Sequence, residues 1–296
     1  MEHRIAKLEA ENAKLRAENL SLHEAQERRQ ANHQLRAGRQ SVRIATDSTR
    51  IFVPFAERSE VVACTDPGAE RLLATIQRAK LARANWDGVP MLKSPFDALI
   101  LIELLRTVRP ASIIELGALA GGAALFLRDQ TNALGLPPVH ILSIDINLKK
   151  LHPTARRATS VAAPNGSRLS FLEGDCAHLE RTLTSQIVSE LKRPLLVLED
   201  AHEALDEVLE FIDTILQGGD YLVVEDTIDV HKMMCLRAFL TRREGAYEVD
   251  TYLNDFWGTN ITWNPNGYLR KVESPPQTLS HSTLDPAHNV RVGQSD

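Results

Sequence analysis

Cysteine is nearly missing from this chain. Cys64, Cys176 and Cys235 are the only three among 296 residues, and they are far apart. An odd, scattered set forms no disulfide framework and no paired-cysteine zinc site, and it fits a reducing compartment, the cytoplasm. Long hydrophobic runs are also absent, and none approaches the ~20 residues of a membrane span. The opening Met1-Glu2-His3-Arg4 is charged, unlike the start of a signal peptide. A positive excess is lacking too: the net charge is -5, against the concentrated basic surface that nucleic-acid phosphates require. Neither nucleic acid nor membrane is an expected partner. A Gly-x-Gly-x-x-Gly dinucleotide fingerprint and a Walker lysine are missing as well, which sets aside the usual cradles for phosphate-bearing cofactors.

What is present begins with a heptad pattern. Ile5, Asn12, Asn19 and Gln26 share one position, and Leu8, Leu15 and Leu22 share the other. Flanking residues give complementary pairs across a parallel dimer: Arg4 with Glu9, Glu11 with Arg16, Glu18 with His23. Asparagine at such a position favours two strands in register. Residues 1–36 are therefore expected to form a coiled-coil helix through which the chain self-associates, as a dimer or a dimer-built oligomer. The competing reading is a leucine-striped helix docked on its own domain.

Residues 37–93 read as a linker and helical cap region, with a short strand near Arg50–Val53, a helix from Pro67 through Leu81, and a loop at Trp86-Asp87-Gly88. Ser94-Pro95 offers an N-cap and a first-turn proline for a helix over 95–108. From Ser112 the chain alternates. Strands are predicted at 112–116, 139–145, 168–173, 194–199 and 220–225, with helices around 121–134, 178–191 and 203–217. This alternation predicts an α/β, doubly wound parallel sheet. Another helix is expected at 230–243, and Glu248–Leu253 and Gly267–Val272 are expected to close the sheet as a hairpin. The core domain spans 94–273. The tail, 274–296, has too little apolar content to fold.

The first strand, Ile113–Leu116, runs into a glycine-rich turn containing Gly117, Ala118, Gly121 and Gly122. Such a turn needs glycine where φ is positive or where a ligand comes close. Asp145 ends the next strand, where its carboxylate can accept both ribose hydroxyls, and Asp175 closes the third. An adenosyl ligand without phosphates suits this cleft, and S-adenosylmethionine is the expected cofactor. Glu115, Gly117, Ala118, Gly121, Gly122, Asp145 and Asp175 are its candidate contacts.

Two further strands end on Glu-Asp pairs, Glu199-Asp200 and Glu225-Asp226. Acids at the carboxyl ends of neighbouring parallel strands lie where open α/β sheets bind ligands. Asp200, Glu225 and Asp226 would repel one another unless neutralised. A hard cation does this, Mg²⁺ first with Mn²⁺ or Ca²⁺ as alternatives. Helix capping, or pairing with Lys or Arg, accounts for these acids equally well. His202 is the candidate base over the same cleft, and His231 is a weaker one. Lys93 and Asp97 either line the mouth of the site or decorate a solvated helix start. The stretch 257–269, with Trp257 and Trp263, reads as a turn into the last strand or as a lid over a polar ligand.

The ordered set of motifs resembles the cephalosporin hydroxylase / rhamnosyl O-methyltransferase family over residues 80–272. It comprises Trp86-x-Gly88, Lys93-x-Pro95-x-Asp97, Glu115-Leu116-Gly117 through Gly121-Gly122, and Asp145-Ile146. Glu199-Asp200-Ala201-His202, Val224-Glu225-Asp226 and the closing Asn264–Leu269 complete it. The resemblance implies a class I S-adenosylmethionine-dependent methyltransferase with a Rossmann-like sheet. It also implies a divalent metal, usually Mg²⁺, held at Asp200, Glu225 and Asp226. The expected function is O-methylation of a small-molecule acceptor, a sugar hydroxyl or a catechol-like diol, with metal-assisted deprotonation. A metal-dependent hydroxylase or hydrolase on the same carboxylates, and a non-catalytic scaffold that dimerises through the heptads, are the competing readings.

Overall fold

The computed structural model describes residues 50–58, 64 and 66–273. The chain divides into two units between Thr49 and Arg50. The heptad segment and the tail from residue 274 lie outside the described residues, so the coiled-coil and tail expectations are not addressed.

Ten strands occur among the described residues: β1 (Phe52–Pro54), β2 (Asn85–Trp86), β3 (Val89–Pro90), β4 (Ser112–Leu116), β5 (His140–Asp145), β6 (Arg168–Glu173), β7 (Leu195–Glu199), β8 (Tyr221–Val224), β9 (Tyr247–Asp250) and β10 (Tyr268–Lys271). Eight of them form one sheet in the order β1-β9-β10-β8-β7-β4-β5-β6. The run from β8 to β6 is parallel. The other three strands are antiparallel additions at the β8 edge. The sheet is thus mixed, and β10 inserts between β8 and β9 as half of the expected hairpin.

The parallel core follows from composition. In β4, Ile113 points into one apolar layer with Ile100, Leu104 and Phe126, while Ile114 and Leu116 point into another with Val208, Ile212 and Phe239. Both faces of the strand are covered, so all five of its residues are buried, Ser112 and Glu115 included, rather than alternating between core and solvent. The connections β4–β5–β6 run to one side of β4 and β7–β8 to the other, which makes the carboxyl end of β4 the switch point where such sheets leave a crevice.

Helix Pro95–Val108 matches its predicted bounds, and Ser94 caps it by accepting from Asp97 N–H at 3.0 Å. Two expected elements are broken. The helix over 178–191 is interrupted at Leu183–Thr184, giving Leu179–Thr182 and Ser185–Glu190. Leu183 turns into the core, and the Thr184 hydroxyl starts a new helix by accepting from Ile187 N–H. The strand over 248–253 stops at Asp250, whose carboxylate caps the helical turn Thr251–Asn254. Trp86, on the β2–β3 hairpin, packs edge-on against Phe126 at 5.1 Å and donates to Asp129 at 2.9 Å. That hairpin and β1 are therefore joined to the sheet and its helices.

Candidate active site

Backbone hydrogen bonds align the ends of the central strands. Asp200 N–H donates to Leu116 O and Glu225 N–H to Glu199 O, both at 2.9 Å, while Gly117 N–H donates to Ile144 O at 2.8 Å. Gly117, Asp145, Asp200 and the Glu225-Asp226 pair are thereby brought to one edge. A cavity of about 430 Å³ opens there, lined by Gly117, Ala118, Leu119, Asp145, Ile146, Asp175, Cys176, Asp200, His202 and Asp226, with Pro90–Lys93 along one wall. Its size lies within the range of small-molecule sites.

The glycines serve the protein's own packing more than a ligand. Gly117 has φ +100°, and a Cβ there would stand 2.5 Å from the Asp200 carbonyl oxygen. At Gly122 a Cβ would stand 2.2 Å from the Pro90 oxygen. Of the turn residues expected at the cofactor, Gly117 and Ala118 line the cavity, whereas Gly121 and Gly122 lie behind it. Glu115 is also behind it, buried and hydrogen-bonded by the Ser143 hydroxyl. Burial pushes its carboxyl up to about 7, against the nearby Lys93 charge.

Asp145 is held by two backbone donors, Leu119 N–H at 2.8 Å and Asn147 N–H at 2.9 Å, one on each oxygen. Each oxygen keeps a lone pair for a ligand. Asp175 accepts from Ala177 N–H at 2.9 Å and also faces the cavity. Cys176 borders it with a thiol that burial pushes up to about 11, which leaves it inert as a nucleophile.

The acids divide into two groups. Lys93 Nζ, buried, donates to Asp200 Oδ2 at 2.6 Å and to Glu225 Oε2 at 2.5 Å. Although burial works against its charge, Asp200 and Glu225 hold the ammonium well above its ordinary pKa. Burial also pushes the Glu225 carboxyl upward, opposed by Lys93. The lysine pairing that competed with the metal reading is therefore present, and it draws Glu225 toward Lys93. The other group is Asp200, His202 and Asp226, whose ligand atoms lie within 4.8 Å of one another. Glu225 Oε1 is buried without a hydrogen-bond partner among the described residues. Glu225, expected as a ligand, is thus outside the converging set, where His202 stands instead; two carboxylates and an imidazole, with the unsatisfied Glu225 oxygen beside them, still fit the implied metal.

His202 stands over the cavity at φ +64°, and Asp226 and Leu119 are also left-handed at +55° and +48°. Non-glycine residues in this region carry strain that the surrounding structure must support. His202 Nε2 is 3.3 Å from Asp226 Oδ2, and its Nδ1 is 3.2 Å from Lys232 Nζ. Lys232 is paired to buried Glu199 at 2.8 Å. An ammonium only donates, so Nδ1 accepts and the neutral ring carries its proton on Nε2, facing Asp226. In this arrangement a neutral His202 donates to Asp226. The contact with Asp226 raises its pKa. His231 donates its backbone N–H to Asp229 at a helix start, and it does not line the cavity.

Trp257 and Trp263 do not line the cavity. Trp257 is edge-on to Phe96 at 5.5 Å, and Trp263 is buried. The stretch 257–269 is thus no lid, because Asn260, Thr262, Trp263, Asn264 and Asn266 are all buried. Asp97 is likewise buried, accepting from the Ser94 and Thr262 hydroxyls, and not part of a solvated helix start. Leu119 and Ile146 stand in the sequence only as members of motifs with no role assigned, and Lys232 has none. Lys232 carries no local signal, since only the fold brings its helix against the loop after β7.

A family model described as rhamnosyl O-methyltransferase/CmcI matches residues 79–272. The rhamnosyl O-methyltransferase of Mycobacterium leprae (strain TN) is 28% identical over 198 residues, covering 62% of this chain and 82% of that protein. The one from Mycobacterium bovis (strain BCG / Pasteur 1173P2) is 27% identical over 195 residues, 64% of this chain and 71% of that protein. Among solved structures, apo CmcI-N160 is 25% identical with a TM-score of 0.52, covering 64% of this chain and 77% of that one. CmcI-N160 with SAH is 25% identical with a TM-score of 0.50, covering 64% and 82%. Among the described residues no helix is long and apolar enough to cross a membrane. With the motif set, the sheet and the cavity in agreement, the chain belongs to the rhamnosyl O-methyltransferase/CmcI family of S-adenosylmethionine-dependent methyltransferases.

Proposed function

We propose that this chain transfers the methyl group of S-adenosylmethionine to a hydroxyl of a small acceptor, a sugar hydroxyl or one of a vicinal diol, in a reaction that requires a divalent cation. The observation that carries this reading is a single cavity faced from one side by Gly117 and Asp145 and from the other by Asp200 and Asp226. The O-methyltransferase names of the mycobacterial relatives and the SAH in CmcI-N160 support it.

Asp145 would accept the ribose hydroxyls through the lone pairs its backbone contacts leave open, and Ile146 and Cys176 would border the adenine. Asp200 and Asp226 would hold the cation, with Glu225 behind them. Bound there, a divalent ion orients an acceptor hydroxyl and lowers its pKa. Lys93 keeps Asp200 and Glu225 together, so the acids do not splay apart under mutual repulsion. Pro90–Leu92 and Leu119 would border the bound cofactor and acceptor, and alignment of the acceptor oxygen with the methyl group would supply much of the rate.

The test is transfer of labelled methyl from S-adenosylmethionine to a panel of rhamnosides, other sugars and catechols, with Mg²⁺ and with excess chelator. Labelled product that appears with Mg²⁺ and vanishes with chelator is expected. Methylation undiminished by chelator would remove the metal from the reading, and no methylation of any hydroxyl acceptor would remove the substrate class.

A further inference from the structure

Residues 263–267 run alongside the loop after β8 and are bonded to it at four points. Ile228 N–H donates to Trp263 O at 3.0 Å and Val224 N–H to Gly267 O at 2.9 Å. The Thr227 hydroxyl donates to Pro265 O at 2.7 Å, and Asp226 N–H donates to the Asn264 side-chain oxygen at 2.8 Å. The approach is close: a Cβ on Gly267 would stand 2.3 Å from Val224 O.

Asn264 is the central member. A backbone N–H only donates, so the amide oxygen must be the atom facing Asp226, and the amide nitrogen must point the other way. It does, donating to the Tyr268 hydroxyl at 3.0 Å. The Asn264 N–H in turn donates to the Thr262 hydroxyl oxygen, and that hydroxyl donates to buried Asp97. The oxygen and the nitrogen of the Asn264 side chain each thus have a partner inside the protein, and the residue is buried and does not line the cavity. Asp226 meanwhile sits at φ +55°, in the left-handed region, which aspartate adopts more readily than most residues but at a cost that the Asn264 hydrogen bond helps to offset.

From this geometry we infer that Asn264 is a positioning residue: by fixing the backbone of Asp226 in its left-handed turn, it aims the Asp226 carboxylate at the cation. The inference rests on the metal reading proposed above. It gives the closing Asn-Pro-Asn-Gly motif a task other than contacting substrate. Asn264 supplies the anchor, and Gly267 allows the strap to approach. Asn266, itself left-handed, ties the strap to Arg58 through a 3.0 Å hydrogen bond.

The experiment measures Mn²⁺ alone by titration calorimetry and electron paramagnetic resonance, and SAH alone by calorimetry, on the full chain. Asn264→Leu should weaken Mn²⁺ binding by about tenfold or more, the scale for partners that orient metal-ligating groups. SAH affinity should stay near the wild-type value, because Asn264 does not line the cavity that Asp145 faces. Asn264→Asp, which keeps an acceptor oxygen for Asp226 N–H, should recover most of the Mn²⁺ affinity. If Asn264→Leu does not fold, Tyr268→Phe carries the test. It removes the hydroxyl that holds the Asn264 amide, and it should weaken Mn²⁺ binding while sparing SAH. Wild-type Mn²⁺ affinity in the folded variants, or an equal loss of Mn²⁺ and SAH, overturns the inference and leaves the metal reading standing. A wild-type chain that binds no Mn²⁺ at millimolar concentration overturns both.

Discussion

Lys93 Nζ lies 2.6 Å from Asp200 Oδ2 and bridges it to Glu225, with all three side chains largely withdrawn from water. The lysine precedes β4 and the acids follow β7 and β8, so this cation is a tertiary counter-charge for the acidic edge. Removing one member of a buried charge cluster leaves the others uncompensated, at a cost of about 3–5 kcal/mol. Lys93→Met should therefore lose stability on that scale in urea unfolding followed by far-UV circular dichroism. Adding Glu225→Gln to Lys93→Met should restore part of the loss. Wild-type stability in the single variant would show that the pair contributes nothing.

Asp145 is anchored by two backbone N–H groups and faces the cavity at the end of β5. Charge-assisted hydrogen bonds to a ligand are the strong ones, so Asp145→Ala should weaken SAH binding by on the order of tenfold or more. Mn²⁺ binding, measured on the same sample, should be far less affected. Unchanged SAH affinity by calorimetry would remove Asp145 from the cofactor site.

Glu115 supplies a pH test. Its ordinary pKa of 4.5 is raised to about 7 in the folded chain, chiefly by burial. The folded state binds this proton more tightly than the unfolded state. The stability it contributes is complete below about 4.5 and is lost as pH rises through 7. Glu115→Gln has no such proton to lose. Urea midpoints from pH 4.5 to 8 should therefore show the variant gaining on the wild type as pH rises. A constant difference across that window, or one of the opposite sign, would contradict the raised pKa.

His202 offers its Nε2 proton to Asp226 while Lys232 occupies Nδ1. General-base catalysis contributes ~10²–10⁴-fold in rate, and a donor that only steadies Asp226 contributes less. His202→Gln, which can still donate to Asp226, should lower kcat by less than that range in methyl-transfer assays. A loss of a hundredfold or more with unchanged KM would identify His202 as the base.

Local chemistry alone determined much of this protein. The apolar runs of β4, β5 and β7, the Ser94-Pro95 helix start and the acids closing β5, β7 and β8 were legible because each depends on side-chain periodicity, capping or strand-end position. The family was legible because its motifs occur in order along the chain. Breaks set by one buried residue and one cap, as at Leu183–Thr184 and Asp250, were not, since burial is a property of the assembled core. Nor could the sequence show which charges neutralise which. Lys93 reaches Asp200 across 107 positions, and Lys232 reaches His202 across 30. The stretch 257–269 admits a turn or a lid from sequence, and only packing decides for a turn into β10, with residues 262–269 buried. Strand ends carry side chains of known chemistry to a known edge. Their partners, protonation and aim are decided by distances and desolvation, which exist only once the sheet is closed.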